Sequence, residues 1–154
     1  NLIGELNAPD RDKIITIASI IEKEARLESD MRLVSGVIAN RLKQGRPLEI
    51  DATVSYGACL RKFQIPNSKS EVKDCDVTQI GVGKEIKVDS IYNTYTRAGL
   101  PPHPISNPGL MSIEAALNPK GNYLYYLSTR DGSQIIFSKT GAEHTANRRK
   151  YLGL

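Results

Sequence analysis

No stretch of this 154-residue chain stays apolar over the ~18 residues that a bilayer-crossing helix needs, so no part of it is read as membrane-embedded. Cysteine is scarce, with only Cys59 and Cys75. One pair cannot fill a four-ligand zinc site, and no histidine stands at ligand spacing from it, so no metal is expected. The pair is read either as a disulfide closing a short loop, in an oxidising compartment, or as two buried thiols. Histidine is equally scarce: His103 stands between prolines and His144 opens the last helical stretch. Neither comes with a nucleophile-elbow pattern, so both are read as structural or solvent-facing rather than as partners of an activated Ser or Cys. "GVGK" at 81–84 lacks the spacing and the preceding strand of a phosphate loop.

Strong charge of one sign is also missing. The net charge is +4 with a pI near 9.1, and the basic residues are scattered except for "NRRK" at 147–150. A nucleic-acid partner is therefore not expected, since such binders gather Lys and Arg on one face. The run is read as a solvated helix end that suits the helix dipole, with an acidic polymer as the lesser reading. The chain opens on Asn1 without the hallmarks of a signal peptide, and is read as a fragment or a processed chain, which leaves room for anchors and targeting signals upstream.

What is present suits one domain, 1–154, of ordinary composition, 40% hydrophobic and 25% charged. Residues 7–29 predict a first helix beginning at Pro9 or Asp10, and 30–45 a second, capped by Asp30 and stopped by Gly45. The short link predicts an antiparallel helical hairpin. Residues 46–60 open extended and turn helical from about Ala52. The polar stretch 59–88 reads as a variable surface insertion with little defined structure. "SIEAALNP" predicts a short helix capped by Ser112, "NYLYYLSTRDGSQIIFSKT" a β-hairpin turning at Asp131-Gly132, and 140–152 a last helix. The sum is an α+β domain, a helical hairpin beside a small antiparallel sheet.

One acid is out of place in this pattern. With Glu24 at zero on a wheel of about 100° per residue, Ile17, Ile20 and Ile21 fall at roughly 20°, −40° and 60°. The apolar arc centres near ~60°, so Glu24 and Glu28 (at ~40°) lie inside it, and Glu22 (at ~160°) flanks it. A carboxyl removed from water prefers its neutral form, and a neutral acid can protonate a leaving oxygen, as in glycosidic cleavage. The plainer alternative, a stripe-edge Glu that snorkels or meets an Arg, stays open on this pattern alone.

The ordered blocks "IASIIEKEA", "VIANRL", "LEIDATVSYG", "YNTYTRAGLPPHPISNPG", "SIEAALNP", "YLYYLS" and "FSKTGAEH" closely resemble the catalytic domain of the endolytic murein transglycosylases, the MltG or YceG-like family. The resemblance covers nearly the whole chain outside about 59–88. It implies a lysozyme-like transglycosylase cleft and endolytic cutting of the β-1,4 link between N-acetylmuramic acid and N-acetylglucosamine. No water is used, and a 1,6-anhydromuramoyl end is left. The family's essential acid, the second Glu of "EKE", matches Glu24. The resemblance further implies an N-terminal membrane anchor outside this chain, action on the outer face of the cell membrane, peptidoglycan strands as partner and peptidoglycan synthases as a second candidate partner.

Such a reaction needs no cofactor and a single carboxyl as acid and then base, because the attacking C6 hydroxyl belongs to the substrate. A hydrolase would need a second carboxylate such as Asp51 or Glu28. The expected sugar contacts are Asp51, Thr53 and Tyr56 of "DATVSYG", Asn93, Thr94 and Tyr95 of "YNTYT", and Ser106 and Asn107 on the stiff "PPHPISNPG" wall. Structural duties compete at each: Asn93 as a turn cap, Thr53 as a helix cap, Tyr56 as core. A catalytically silent peptidoglycan-binding module is the main rival reading.

Overall fold

Asn7 launches the first helix. Its side chain accepts the Asp10 N–H at 2.9 Å, and Pro9 sits in the first turn, where a missing N–H costs nothing. The computed structural model describes residues 3–63, 77 and 80–154. In it α1 runs Ala8–Glu24 and stops there, because Ala25 turns extended (φ −139°) and gives its N–H to the Ile21 carbonyl. The helix expected through residue 29 thus ends on Glu24. Residues 25–27 reverse the chain, and α2 (Glu28–Lys43) packs on α1, joining Met31, Val34 and Ile38 to Ile17, Ile20 and Ile21 in one core. Leu27, not Asp30, holds the cap position; Asp30 lies in the first turn of α2, where an acid suits the positive helix end.

Gly45 (φ +65°) ends the second helix region as expected. The chain then continues without helix or strand to Ile50 and enters α3 (Asp51–Phe63), longer than the short helix the sequence suggested. Among the described non-glycine residues, Glu49 alone occupies the left-handed region (φ +56°). Residues 64–76, 78 and 79, with Cys75, lie outside the described residues, so the insertion expected over 59–88 is seen only at its ends. There, 59–63 continue α3, and α4 (Val82–Glu85) supplies a helical turn where a loop was expected. Cys59 is buried and is not a free thiol.

Gly109 caps α5 (Leu110–Leu117). Ser112, expected at the cap, lies inside the first turn, fully buried. α5 packs on both α1 and α2. Close approach also governs Gly36 of α2: a Cβ there would meet the Lys120 carbonyl oxygen at 1.7 Å, so only glycine fits under that loop. The hairpin forms as read, β1 (Tyr125–Ser128) antiparallel to β2 (Ile135–Ser138), with Tyr126 opposite Phe137. Thr140 caps α6 (Gly141–Leu152), which packs on both strands, and Gly153 (φ +67°) closes it. The described residues make an α+β fold of six helices and one two-stranded sheet.

Candidate active site

The end of α1, the last turns of α2, the 48–51 segment, β1 and α6 enclose a cleft of about 670 Å³. Glu24 lies in it. The residue is half-buried, with its carboxyl packed deep, and its Oε2 accepts the Tyr126 hydroxyl at 2.8 Å. Loss of water raises this carboxyl from the usual range to about 7, and the neighbouring Asp51 charge pushes the same way. The Tyr126 hydroxyl and the Ala52 N–H, in the first turn of α3, pull it back. Burial, followed by the Glu24 charge, drives the Tyr126 phenol well above its ordinary value, so it stays a donor.

Two more acids share the cleft. Asp51 opens α3 and accepts the Tyr95 hydroxyl at 2.6 Å. Burial and that bond raise the Tyr95 phenol above its usual range. Glu49 pairs with Arg41 at 2.7 Å. Arg41 is buried in the last turn of α2, and its guanidinium also donates to the carbonyls of Leu124 (2.6 Å) and Pro47 (2.7 Å). It lies 4.9 Å from the centre of the Tyr125 ring, and His144 stacks on that ring at 5.2 Å. Arg46 donates to the Tyr125 hydroxyl at 2.7 Å. A buried cation thus ties three segments of the cleft wall together.

Of the eight expected sugar contacts, Asp51 and Tyr95 line the cleft; the other six lie outside its lining. Thr53 and Thr94 are buried and bonded to each other at 2.9 Å, with Thr53 donating to the Ile50 carbonyl and Thr94 accepting the Ile50 N–H. Asn93 is buried too. Its amide donates to the carbonyls of Ile86 (3.0 Å) and Val88 (2.8 Å), and its oxygen accepts the Tyr95 N–H at 2.9 Å. Tyr56 meets Tyr92 edge to face at 4.9 Å. Ser106 donates to the Ser19 carbonyl at 2.8 Å, and Asn107 is exposed. Thr53, Thr94 and Asn93 thereby brace the segments that carry Asp51 and Tyr95.

Glu28 is corrected. The wheel placed it inside the apolar arc by extending α1, but it begins α2, exposed and paired with Arg32 at 2.7 Å. It does not line the cleft that holds Glu24, and the acids beside Glu24 there are Asp51 and Glu49. Glu22 is exposed, as the wheel requires, and accepts the Gly109 N–H at 2.9 Å and the Ser112 hydroxyl, which fastens α5 to α1. Tyr126, Arg41, Glu49 and Tyr125 are among the lining residues that sequence reasoning did not single out, and Arg148 was read only as part of the basic run at 147–150. Alternation along "YLYYLS" announces that Tyr125 and Tyr126 face opposite ways, but not which of them meets Glu24. His144, read as structural or solvent-facing, is part of the wall, while His103 is exposed. Among the described residues no His, Cys, Asp and Glu cluster could hold a metal ion.

The described residues thus form an α+β domain whose cleft holds a carboxyl raised to about 7, an arrangement suited to acid-base chemistry. The YceG-like family model matches residues 4–150, and the chain belongs to that family. It is similar to the endolytic murein transglycosylase of Bacillus subtilis, 39% identical over 141 residues, which cover 91% of this chain and 34% of that protein. The endolytic murein transglycosylase of Streptococcus pneumoniae is 28% identical over 137 residues, covering 88% of this chain and 23% of that protein. A crystal structure of a YceG-like protein from Listeria monocytogenes is similar with a TM-score of 0.70 and 40% identity, over 89% of this chain and 40% of that one. The chain spans about a third of the Bacillus relative or less of the others named as enzymes.

Proposed function

We propose that this domain cuts peptidoglycan glycan strands as an endolytic lytic transglycosylase, with Glu24 as its single acid and base. The observation that carries the reading is the Glu24 carboxyl, raised to about 7 inside the cleft. At neutral pH a fraction of such a group is protonated and can give its proton to the glycosidic oxygen between N-acetylmuramic acid and N-acetylglucosamine. The C1–O bond breaks, the N-acetylglucosamine side leaves as an alcohol, and Glu24 becomes a carboxylate. The C6 hydroxyl of the same muramic acid then attacks C1, and Glu24 takes its proton. The products are a 1,6-anhydromuramoyl end and a reset acid, with no water consumed. Intramolecular attack supplies the nucleophile at high effective concentration.

Tyr126 aims the Glu24 carboxyl. Asp51 and Tyr95 are placed to accept and donate hydrogen bonds to sugar hydroxyls and N-acetyl groups. The polymer lies outside the cell membrane, so the domain is assigned to that face, with peptidoglycan synthases as candidate partners. No helix among the described residues is long and apolar enough to cross a membrane.

The test is digestion of purified sacculi by the wild-type chain and by Glu24→Gln, with the glycan ends read by mass spectrometry. Anhydro ends from the wild type, and at least a hundredfold fewer from Glu24→Gln, are expected for loss of an acid-base group. Ordinary reducing ends would replace the lyase with a hydrolase using Asp51 or Glu49 as second carboxylate. Binding to sacculi without any product would favour the silent module.

A further inference from the structure

His144, Arg148 and Leu152 stand at i, i+4 and i+8 on α6, and all three line the cleft that holds Glu24. The sequence run "NRRK" therefore does more than solvate a helix end, since one of its arginines turns toward the cleft. Arg148 is exposed, and its guanidinium makes no hydrogen bond or ion pair among the described residues. Arg41 and Arg46, by contrast, are spent on backbone carbonyls, Glu49 and Tyr125. Arg148 thus has no part in holding the fold. A second observation sits one turn away: the His144 Nδ1 atom is buried with no hydrogen-bond partner among the described residues, although stacking on Tyr125 fixes its ring. An exposed guanidinium that lines the cleft and serves no partner within the fold suggests a polar group that arrives from outside.

The charge pattern names the group. The opposite wall carries Glu24, Glu49 and Asp51, and would repel an anionic polymer. A free guanidinium presents paired N–H donors that match a carboxylate in two parallel bonds. Peptidoglycan is uncharged along its N-acetylated sugars, and its carboxylates hang from the muramic acid side branch.

We propose that the α6 stripe of His144 and Arg148 is a subsite for a carboxylate of the peptide branch of the glycan strand, which makes the cleft selective for strands with acidic branches. The inference rests on the lytic reading for its polymer, but not on the chemistry at Glu24. Arg148 binds the carboxylate, the His144 ring, stacked on Tyr125, forms the wall one turn away, and Leu152 bounds the site with apolar surface. The branch then stays clear of the acidic wall while the sugar bond lies at Glu24.

Binding tests this without turnover. In a Glu24→Gln background, affinity is measured for peptide-bearing strands and for the same strands with branch carboxyls converted to amides. The acidic form is expected to bind about tenfold tighter, the worth of one charge-assisted hydrogen-bonded pair. Adding Arg148→Gln should bring the two affinities together, and Arg148→Lys should restore part of the preference. Equal binding of both forms by the Glu24→Gln background, binding of neither, or a proportional loss on both with Arg148→Gln would overturn the subsite. A wild-type chain that keeps the preference but produces no anhydro ends would overturn the lytic reading and leave the subsite standing.

Discussion

In the proposed reaction Glu24 holds a proton near neutrality and then releases it, and its neighbours pull its affinity for that proton in opposite directions. Burial and Asp51 favour the neutral acid, while the Tyr126 hydroxyl and the Ala52 N–H favour the carboxylate. Removing one donor shifts the balance in a known direction. Tyr126→Phe is expected to raise the Glu24 pKa further above 7 and move the alkaline limb of the rate profile upward; the check is cleavage rate against pH. The same carboxyl bears on stability. Its folded value, about 7, lies above the ordinary 4.5, so the folded chain holds the proton more tightly. That stability is full below about pH 4.5 and lost as pH rises through about 7. Glu24→Gln is expected to be more stable than wild type by about 2–3 kcal/mol at pH 8 and no more stable near pH 4, read by urea unfolding at each pH. The wheel could find this acid because an apolar arc is a local pattern. It could not find Tyr126 or Arg41, since both reach Glu24's cleft across the chain from other elements.

The helix ends decide which acids face the cleft. Continuing α1 past Ala25 would have carried Glu28 onto the same stripe as Glu24; packing of α2 back on α1 broke the helix first. Periodicity gives a helix its face, but tertiary packing sets where it stops. The same holds for α5. Ser112 looks like a cap in the sequence, yet Gly109 takes that place and the buried serine donates to Glu22 of α1. Because that hydroxyl, then the Gly109 N–H, hold Glu22 below its usual range, the α1–α5 join keeps its charged partner at neutral pH. Ser112→Ala is expected to cost about 1 kcal/mol, seen as a lower urea midpoint, with the Glu24 pH profile unmoved. The hairpin and α6 were legible almost to the residue, since a turn dipeptide and a capping threonine are local signals.

At the scale of the whole domain, one buried guanidinium holds the cleft walls in register. Arg41 joins α2 to the 47–49 segment and to the carbonyl that precedes β1. Glu49 keeps a left-handed backbone while its carboxylate meets that charge. Arg41→Gln leaves carbonyls and a carboxylate unpaired together, so a loss of about 3 kcal/mol is expected, measured by thermal or urea unfolding. The link to Leu124 spans 83 positions of the sequence, and a single chain read without its fold gives no sign of it. The sequence blocks did make the family legible, because they survive as an ordered set even where single residues such as Asn93 and Thr94 are bonded within the loops.

The stopping point of α1 has one more result. Glu24 is its last residue, so the carboxyl stands by the negative pole of that helix, while the first-turn Ala52 N–H of α3 reaches it from a positive pole. One helix field favours recapture of hydrogen by the side chain, and the other cushions the charge left when hydrogen departs. In the proposed reaction, opposed backbone fields of this kind would let a lone group cycle between two forms, ready for the next strand.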